Sequence, residues 1–392
     1  MAEDPFVVVG AGIGGLAAAL ALARAGRRTI VVERAPRIAE VGAGLQISPN
    51  AGRILQDLGL GSAMATVALE PRELQIRRAV DGATLARLPL AAVRGRWGAP
   101  FRVFHRADLQ KSLLDAALRA GVEIRTGLLA ESVEQDASGV QLRLRTEAGA
   151  EERLEAAAAI GADGLRSTIR DALRLQPNDA PFPVGMTAWR TILPADRLPS
   201  SLRERVTRLW LGPGAHVVHY PLRDASIVSA VAILEDRADR GAPAETRAGA
   251  ELAAAMAFPR WSVELRALIE AGEPWRRWPL FLRPELARWT RGRVALLGDA
   301  AHPMTPFLAQ GAAQAIEDAA ALAFAVSGAT SIETALETYQ SARIARATQV
   351  QRGSRRQGDF VHLTGPAALA RDLSIRLLGG RGMLARNAWL YR

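Results

Sequence analysis

The sequence predicts an α/β chain: a discontinuous Rossmann-like dinucleotide-binding domain carrying an inserted, mostly antiparallel β-sheet substrate domain, with C-terminal helices. Three observations carry this reading. A short apolar run, a glycine-rich turn, a helical pattern and a second apolar run succeed one another from Phe6 to Val32, the order of a strand, helix, strand unit with buried parallel strands. Related patterns return from Arg102 and again at Arg293. Between these visits, from about Pro177 to Arg276, the chain alternates apolar and polar residues in strand fashion, broken by turns. The interleaving assigns residues 1–71, 100–176 and 277–330 to the dinucleotide-binding domain, 72–99 and 177–276 to the substrate domain, and 331–392 to a C-terminal helical segment.

Each element follows from a local signal. Phe6 to Val9 is wholly apolar and ends on Gly10; the helical pattern then runs through Ala25 to a Gly26 stop, and Thr29 to Val32 forms the next apolar run. Asp81-Gly82 lies between two alternating runs from Glu73 to Leu88, a hairpin signal. A strand at Arg102, a helix over Ala107 to Ala120 and a strand over Val122 to Arg125 come next. Val140 to Thr146 and Glu151 to Glu155 read as a second hairpin leading into the apolar run Ala156 to Ala162. In the inserted region the strands are Val206 to Leu211, His216 to Tyr220 after the turn Gly212-Pro213-Gly214, and Ser226 to Leu234. Arg293 to Leu297 is again a buried strand, and helices follow to the end.

Composition narrows the function classes. With 392 residues, 49% hydrophobic and 23% charged, the chain has a globular profile that excludes a disordered tail, a collagen-like fibre and a coiled coil. The absence of cysteine excludes disulfides, thiolate metal sites, iron–sulfur clusters and a cysteine nucleophile. No stretch reaches the ~18 to 20 uninterrupted apolar residues of a membrane span, and the acidic start argues against a secretory signal, so a cytoplasmic protein with no membrane partner is expected. Lys111 is the only lysine, and the arginines behind the net charge of +10 are scattered without a basic run or an aromatic platform. No nucleic-acid partner is therefore expected; the positive field favours small anions instead. A monomer or homodimer is the expected state.

Three segments carry chemistry. Gly10-Ala11-Gly12-Ile13-Gly14-Gly15 lies between a strand and a helix, with Glu33 closing the second strand. Glycines permit the tight turn and the approach of backbone to a pyrophosphate, the helix N-terminus offers unpaired N–H groups, and Glu33 suits a ribose diol. The second segment, Arg293 to Pro303, is a strand ending in Gly298-Asp299, followed by Pro306-Phe307-Leu308-Ala309-Gln310-Gly311-Ala312 and a helix to about Val326. A carboxylate there suits the polyol of an extended cofactor, and a helix starting at Gly311 aims its positive end at an adjacent ring that becomes anionic on reduction, as a flavin does. The third is Gly161-Ala162-Asp163-Gly164-Leu165-Arg166-Ser167-Thr168, after an apolar strand. No Gly-x-Ser-x-Gly elbow, Walker loop or metal-ligand cluster is present, so no metal is expected.

Together these segments resemble the flavoprotein aromatic hydroxylases, the FAD-dependent single-component monooxygenases, over nearly the whole chain. The salicylate hydroxylase-like branch is the most similar, on Gly42-Ala43-Gly44-Leu45-Gln46-Ile47-Ser48-Pro49-Asn50, the Pro306 to Ala312 segment and Trp389-Leu390-Tyr391. The resemblance implies bound FAD held by Gly10, Gly12, Gly14, Gly15, Glu33 and Arg34 at its adenosine end. It implies Arg106, Asp163, Asp299, Gly311 and Ala312 along the rest of the cofactor, Gln46 bordering both cofactor and substrate, and Pro306 bordering the substrate pocket. It further implies transient NADH or NADPH, O2 as co-substrate, and a small aromatic substrate, a phenol or aromatic carboxylate, hydroxylated through a flavin C4a-hydroperoxide kept from water. Family members of this branch often continue past the Trp-Leu-Tyr segment, whereas this sequence stops at Arg392, which leaves the C-terminal packing open.

His216, Val218 and Tyr220 share one face of the predicted strand and His219 takes the other, so His216 and His219 cannot converge on a zinc ion. His216 and Tyr220 resemble the pair with which some phenolic-acid hydroxylases orient and deprotonate substrate, a base role that raises the nucleophilicity of the ring; the alternative is two ordinary sheet residues. Arg190 meets either a substrate carboxylate or, with the greater weight, a surface ion pair. A backbone-capping role is expected of His302 and a solvated position of His362. Two other functions stay open: a flavin-dependent epoxidase or N-hydroxylase that needs no base, and a plain NAD-dependent dehydrogenase.

Overall fold

The computed structural model describes residues 4–38, 44–236, 245–247, 249–256 and 260–392. The two N-terminal apolar runs pair in parallel, Phe6 against Thr29 and Val9 against Val32, because both are apolar on both faces and the intervening helix Ile13–Arg24 covers one of them. They form the centre of a six-stranded sheet. Its order is Thr290–Arg291, Val294–Leu296, Ala158–Gly161, Phe6–Val9, Thr29–Glu33 and Glu123–Thr126, parallel except for the antiparallel edge strand Thr290–Arg291. Helix Ile13–Arg24 packs between Arg106–Arg119 and the long helix Gly311–Gly328. The hairpin expected near residue 140 gains a third strand, Leu128–Gln135.

The second large sheet has eight strands, in the order Glu245–Arg247, Trp275–Leu282, Phe182–Pro194, Ile227–Glu235, Ala215–Leu222, Val206–Gly212, Glu73–Arg78 and Thr84–Pro89. Its neighbours are antiparallel except for Val206–Gly212 beside Glu73–Arg78. The strands expected in residues 177–276 are present. The region also holds helices Gly249–Ala255 and Val263–Ala271, and Leu252, Leu265 and Leu268 bury against Trp210, Val217 and Ala232. Short amphipathic helices are hard to separate from strands by periodicity, yet here they cover the central strands of one face of the sheet.

Three helices close the chain, Ile332–Val361, Gly365–Arg386 and Ala388–Tyr391. The middle one lies so close on strand Thr84–Pro89 that a Cβ at Gly380 would stand 1.6 Å from the Arg87 carbonyl oxygen. The terminal Tyr391 ring meets Trp97 edge-on, and its carbonyl accepts from Arg53 at 2.9 Å. No helix among the described residues is long and apolar enough to cross a membrane.

Candidate active site

The glycine turn is a cradle whose members have separate jobs. Gly10 has φ +106°, and a Cβ there would lie 2.6 Å from the Ala162 carbonyl oxygen, so the turn passes tightly over the neighbouring strand. A Cβ at Gly15 would stand 1.9 Å from the Gly10 oxygen, and one at Gly14 would meet Ala315 of helix Gly311–Gly328 at 2.9 Å. Gly12 differs: it caps helix Ile13–Arg24 with no side-chain bond, and nothing lies within 4 Å of its missing Cβ. The first turn has no side-chain cap and space stands open beside Gly12, the arrangement that can receive an anion. Glu33 pins the turn by accepting from the Ala11 N–H at 2.8 Å, and Gln110, which the sequence did not single out, donates to the Ala11 carbonyl at 2.9 Å. Arg34 follows, exposed, at the end of the same strand.

Asp163 uses one oxygen, Oδ2, to accept from the Thr168 N–H at 2.8 Å; Oδ1 is buried with no partner among the described residues. Burial raises its carboxyl pKa against the hydrogen bonds of Ser167, Ile169 and Thr168. Asp299 stands in the turn Gly298–Ala300, with Oδ1 4.0 Å from where a Gly311 Cβ would be. Asp299 is solvent-accessible, yet the mass of protein around it raises its carboxyl pKa, opposed by His302 and Arg106. Ala312 is the second residue of helix Gly311–Gly328, whose N-terminus adjoins this carboxylate.

A buried network holds that helix in place. Asp318 accepts from the Gly298 N–H at 3.0 Å and from Arg343 Nε at 2.8 Å, and meets His302 Nε2 at 2.6 Å. Burial alone would raise the Asp318 carboxyl, but His302 and Arg343 pull it down to about 2. The capping role expected of His302 is therefore corrected: its ring, sunk beside Asp318, ties the Asp299 turn to the helix. Asn50 joins the same network by donating to Glu317 at 2.6 Å. Gly42 and Ala43 lie outside the described residues; from Gly44 the segment forms strand Gly44–Ile47.

The opposite face of the eight-stranded sheet carries Arg190, His216 and Tyr220. Register sets Arg190 beside Val231 and Val231 beside Val218, with Tyr220 beside Ser229 and His216 beside Ile233. Directly opposed residues share a face, so Arg190, His216 and Tyr220 look the same way, away from the covered face that holds His219 and Trp210. In these largely buried strands Arg190, Val231 and Val218 are partly accessible. They form a partly accessible row in the middle of an otherwise buried face. Tyr220 and His216 flank it along one strand, both nearly inaccessible.

Burial pushes the Tyr220 hydroxyl up to about 12, against Ser229, Arg190 and Gln46, whose pull comes from hydrogen bonds and charge. Burial, then the Arg106 charge, lowers the Arg190 pKa. The surface ion pair expected of Arg190 is corrected: the residue is set into the sheet, and its Nε is buried without a partner among the described residues. Burial drives His216 down to about 3, helped by His362. His362 was expected in solvent and is instead 5% exposed, its Nε2 2.8 Å from His216 Nδ1. Pro306 opens the turn Pro306–Leu308, and the ring of the next residue, Phe307, packs on His216 with centroids 5.6 Å apart. This sheet face thus touches the segment that leads into helix Gly311–Gly328.

Residues 4–354 match the model of the FAD binding domain family. The chain is 38% identical to 3-hydroxybenzoate 6-hydroxylase 1 of Aquipseudomonas alcaligenes over 96% of its own length and 94% of that protein's. It is 40% identical to 3-amino-4-hydroxybenzoate 2-monooxygenase PtmB3 of Streptomyces platensis, over 98% and 94%. The chain belongs to the FAD-dependent aromatic hydroxylases. Among solved structures, Klebsiella pneumoniae HpxO complexed with FAD and uric acid superposes with a TM-score of 0.86 at 26% identity, covering 99% of this chain and 97% of that one. A salicylate hydroxylase substrate complex shares the fold, with a TM-score of 0.81 at 24% identity over 99% and 95%. This aromatic hydroxylase is accordingly an FAD-dependent monooxygenase, and the dehydrogenase alternative falls. The open helix N-terminus at Gly12, the orphaned Asp163 oxygen and the accessible Asp299 carboxylate fit an elongated flavin dinucleotide.

Proposed function

We propose that this enzyme hydroxylates a small single-ring aromatic bearing both a phenolic hydroxyl and a carboxylate, using NADH or NADPH and O2, in the cytoplasm as a monomer or homodimer. The observation that carries this reading is that a buried His216, a buried Tyr220 and a half-buried, incompletely bonded Arg190 share one sheet face. The hydroxybenzoate and aminohydroxybenzoate named as substrates of the relatives support the same substrate class. Residues 1–71, 100–176 and 277–330 form the FAD-binding part in this reading, and 72–99 with 177–276 the substrate part.

Gly10, Gly12, Gly14, Gly15, Glu33 and Arg34 would hold the adenosine end of FAD, and Arg106, Asp163, Asp299, Gly311, Ala312 and Gln46 the remainder. Bound there, FAD supplies the activation of oxygen. Arg190 pairs with the substrate carboxylate, a charge-assisted contact in a partly desolvated place. Tyr220, held neutral by burial, donates to or accepts from the phenolic oxygen while Gln46 and Ser229 fix its rotor. His216 accepts the phenolic proton, which places negative charge on the ring at the moment of attack. Gln46 and Pro306 close the border towards the cofactor and exclude water.

The test is NADH and NADPH oxidation by flavin-loaded enzyme across hydroxybenzoates, aminobenzoates and simple phenols, with mass analysis of products. One hydroxybenzoate that stimulates oxidation and gains a single oxygen atom is expected. Stimulation with hydrogen peroxide as the only product for every hydroxybenzoate, together with oxygen insertion into a compound lacking a phenol, would overturn the reading in favour of an epoxidase or N-hydroxylase.

A further inference from the structure

His362 belongs to no motif of the sequence, yet the fold brings it across 146 residues to His216. It is the C-cap of helix Ile332–Val361, where its N–H donates to the Gly358 carbonyl at 3.1 Å. Gly358 has a use of its own here: a Cβ would lie 2.5 Å from the Phe307 ring, so only glycine lets that ring come so close to the helix. Phe307 then packs on both imidazoles, 5.6 Å from each, and confines them to one geometry.

The contact between His216 Nδ1 and His362 Nε2 leaves two arrangements of one hydrogen. If His362 donates, His216 carries its own hydrogen on Nε2 and has no lone pair for a substrate. If His216 donates from Nδ1, its Nε2 is bare and basic. Resting on the proposed base role of His216, we propose that His362 is its positioning residue: it accepts the Nδ1–H bond, holds Nε2 bare for the phenolic hydroxyl, and receives the Nδ1 proton as Nε2 takes up the phenolic one. The phenolic O–H bond breaks and a bond forms to His216 Nε2, the oxygen keeping the electron pair. The Nδ1–H bond of His216 breaks as its proton passes to His362 Nε2, and His362 becomes the cation.

The surroundings favour this direction. Burial keeps His216 neutral and makes it a poor resting place for a proton. His362 lies towards the exposed carboxylates of Glu235, at the end of strand Ile227–Glu235, and Asp359, on its own helix, both of which favour its charged form. Arg371 of helix Gly365–Arg386, which donates to the Val361 carbonyl at 2.7 Å, opposes them, and burial lowers the pKa most of all. The cation is therefore transient, and its onward release is the step that pH should reveal.

The tautomer is read directly from long-range 1H–15N spectra of the labelled holoenzyme, whose five histidines can be assigned by single substitution. Wild type should show His216 protonated on Nδ1 and bare on Nε2. His362→Phe should move the hydrogen to Nε2 and lower kcat for hydroxylation on the order of 100-fold with KM little changed. His362→Gln, whose amide oxygen can still accept, should keep the Nδ1–H form and recover about tenfold of the loss, with a kcat that climbs with pH as buffer removes the proton. A wild-type His216 bearing its hydrogen on Nε2, or a folded His362→Phe with unchanged kcat and pH profile, overturns the proposal. If His362→Phe fails to fold, the wild-type tautomer and His362→Gln decide alone. Undiminished hydroxylation by His216→Gln would instead sink the base reading, and the tautomer would still report on the hydrogen bond.

Discussion

Replacing Arg190 by methionine separates recognition of a substrate carboxylate from general packing. Methionine keeps most of the stem volume and removes the guanidinium, and with it the repulsion from Arg106 that lowers the Arg190 pKa, so the apo fold should not suffer. A charge-assisted hydrogen bond contributes about 1.5–3 kcal/mol, and breaking a fully buried ion pair about 3–5 kcal/mol. Arg190 is only half-buried, with one nitrogen wholly enclosed, which argues for the lower range. Taking about 2 kcal/mol, affinity for a hydroxybenzoate should fall roughly 30-fold, whereas affinity for the matching phenol without a carboxylate should change less than about threefold. Titrating both ligands into wild type and Arg190→Met holoenzyme, followed by the flavin absorbance change, gives the coupling between side chain and carboxylate. Equal weakening for the two ligands, a coupling near zero, would refute the assignment.

Gly12→Val should fold with a stability within about 0.5 kcal/mol of wild type, because nothing lies within 4 Å of the new Cβ, yet purify colourless; a yellow protein with normal flavin content refutes the cradle. Tyr220→Phe should lower kcat about tenfold and leave any alkaline limb below pH 10 in place, since burial holds the Tyr220 hydroxyl at about 12; loss of that limb in the variant refutes the neutral assignment. Asp318 is held at about 2 from an ordinary 3.8, so its contribution is present above pH 3.8 and lost as pH falls towards 2. Urea melts should show Asp318→Asn less stable by about 2 kcal/mol at pH 6 and the gap closing near pH 2; a gap that stays constant refutes the linkage.

The sequence made legible what is local. The glycine spacing, the strand end at Glu33, the Gly298-Asp299 turn and the helix start at Gly311 are each encoded within a few residues, and each forms where the sequence puts it. The period of two put His216 and Tyr220 on one face and His219 on the other. What it could not supply was register, and only register brings Arg190, two strands away, onto the same face. Arg190 read as a surface residue because alternation does not tell which face is covered. The covering helices Gly249–Ala255 and Val263–Ala271 are too short to stand out among strands; in the structure the second is capped by Ser262, which accepts from the Leu265 N–H. His362, Gln110 and the pairing of Arg343 with Asp318 depend on docking of distant helices.

The histidine pair also bears on whether the site works on an ionisable ring at all. Two imidazoles enclosed beside Phe307, one with a ring nitrogen, His362 Nδ1, left without a partner among the described residues, are a poor way to fill a core. Leaving a buried polar atom unsatisfied costs about 1–3 kcal/mol, and an apolar pair of similar volume would recover it. The double variant His216→Leu, His362→Leu should therefore gain about 1–3 kcal/mol in thermal or urea unfolding while hydroxylation collapses, the exchange of stability for activity seen where polar groups are kept for chemistry. Base-free oxygen transfer to a non-phenolic ring would leave that polarity without use. A double variant that hydroxylates normally would favour base-free transfer, and one that unfolds more easily than wild type would show the pair to be structural.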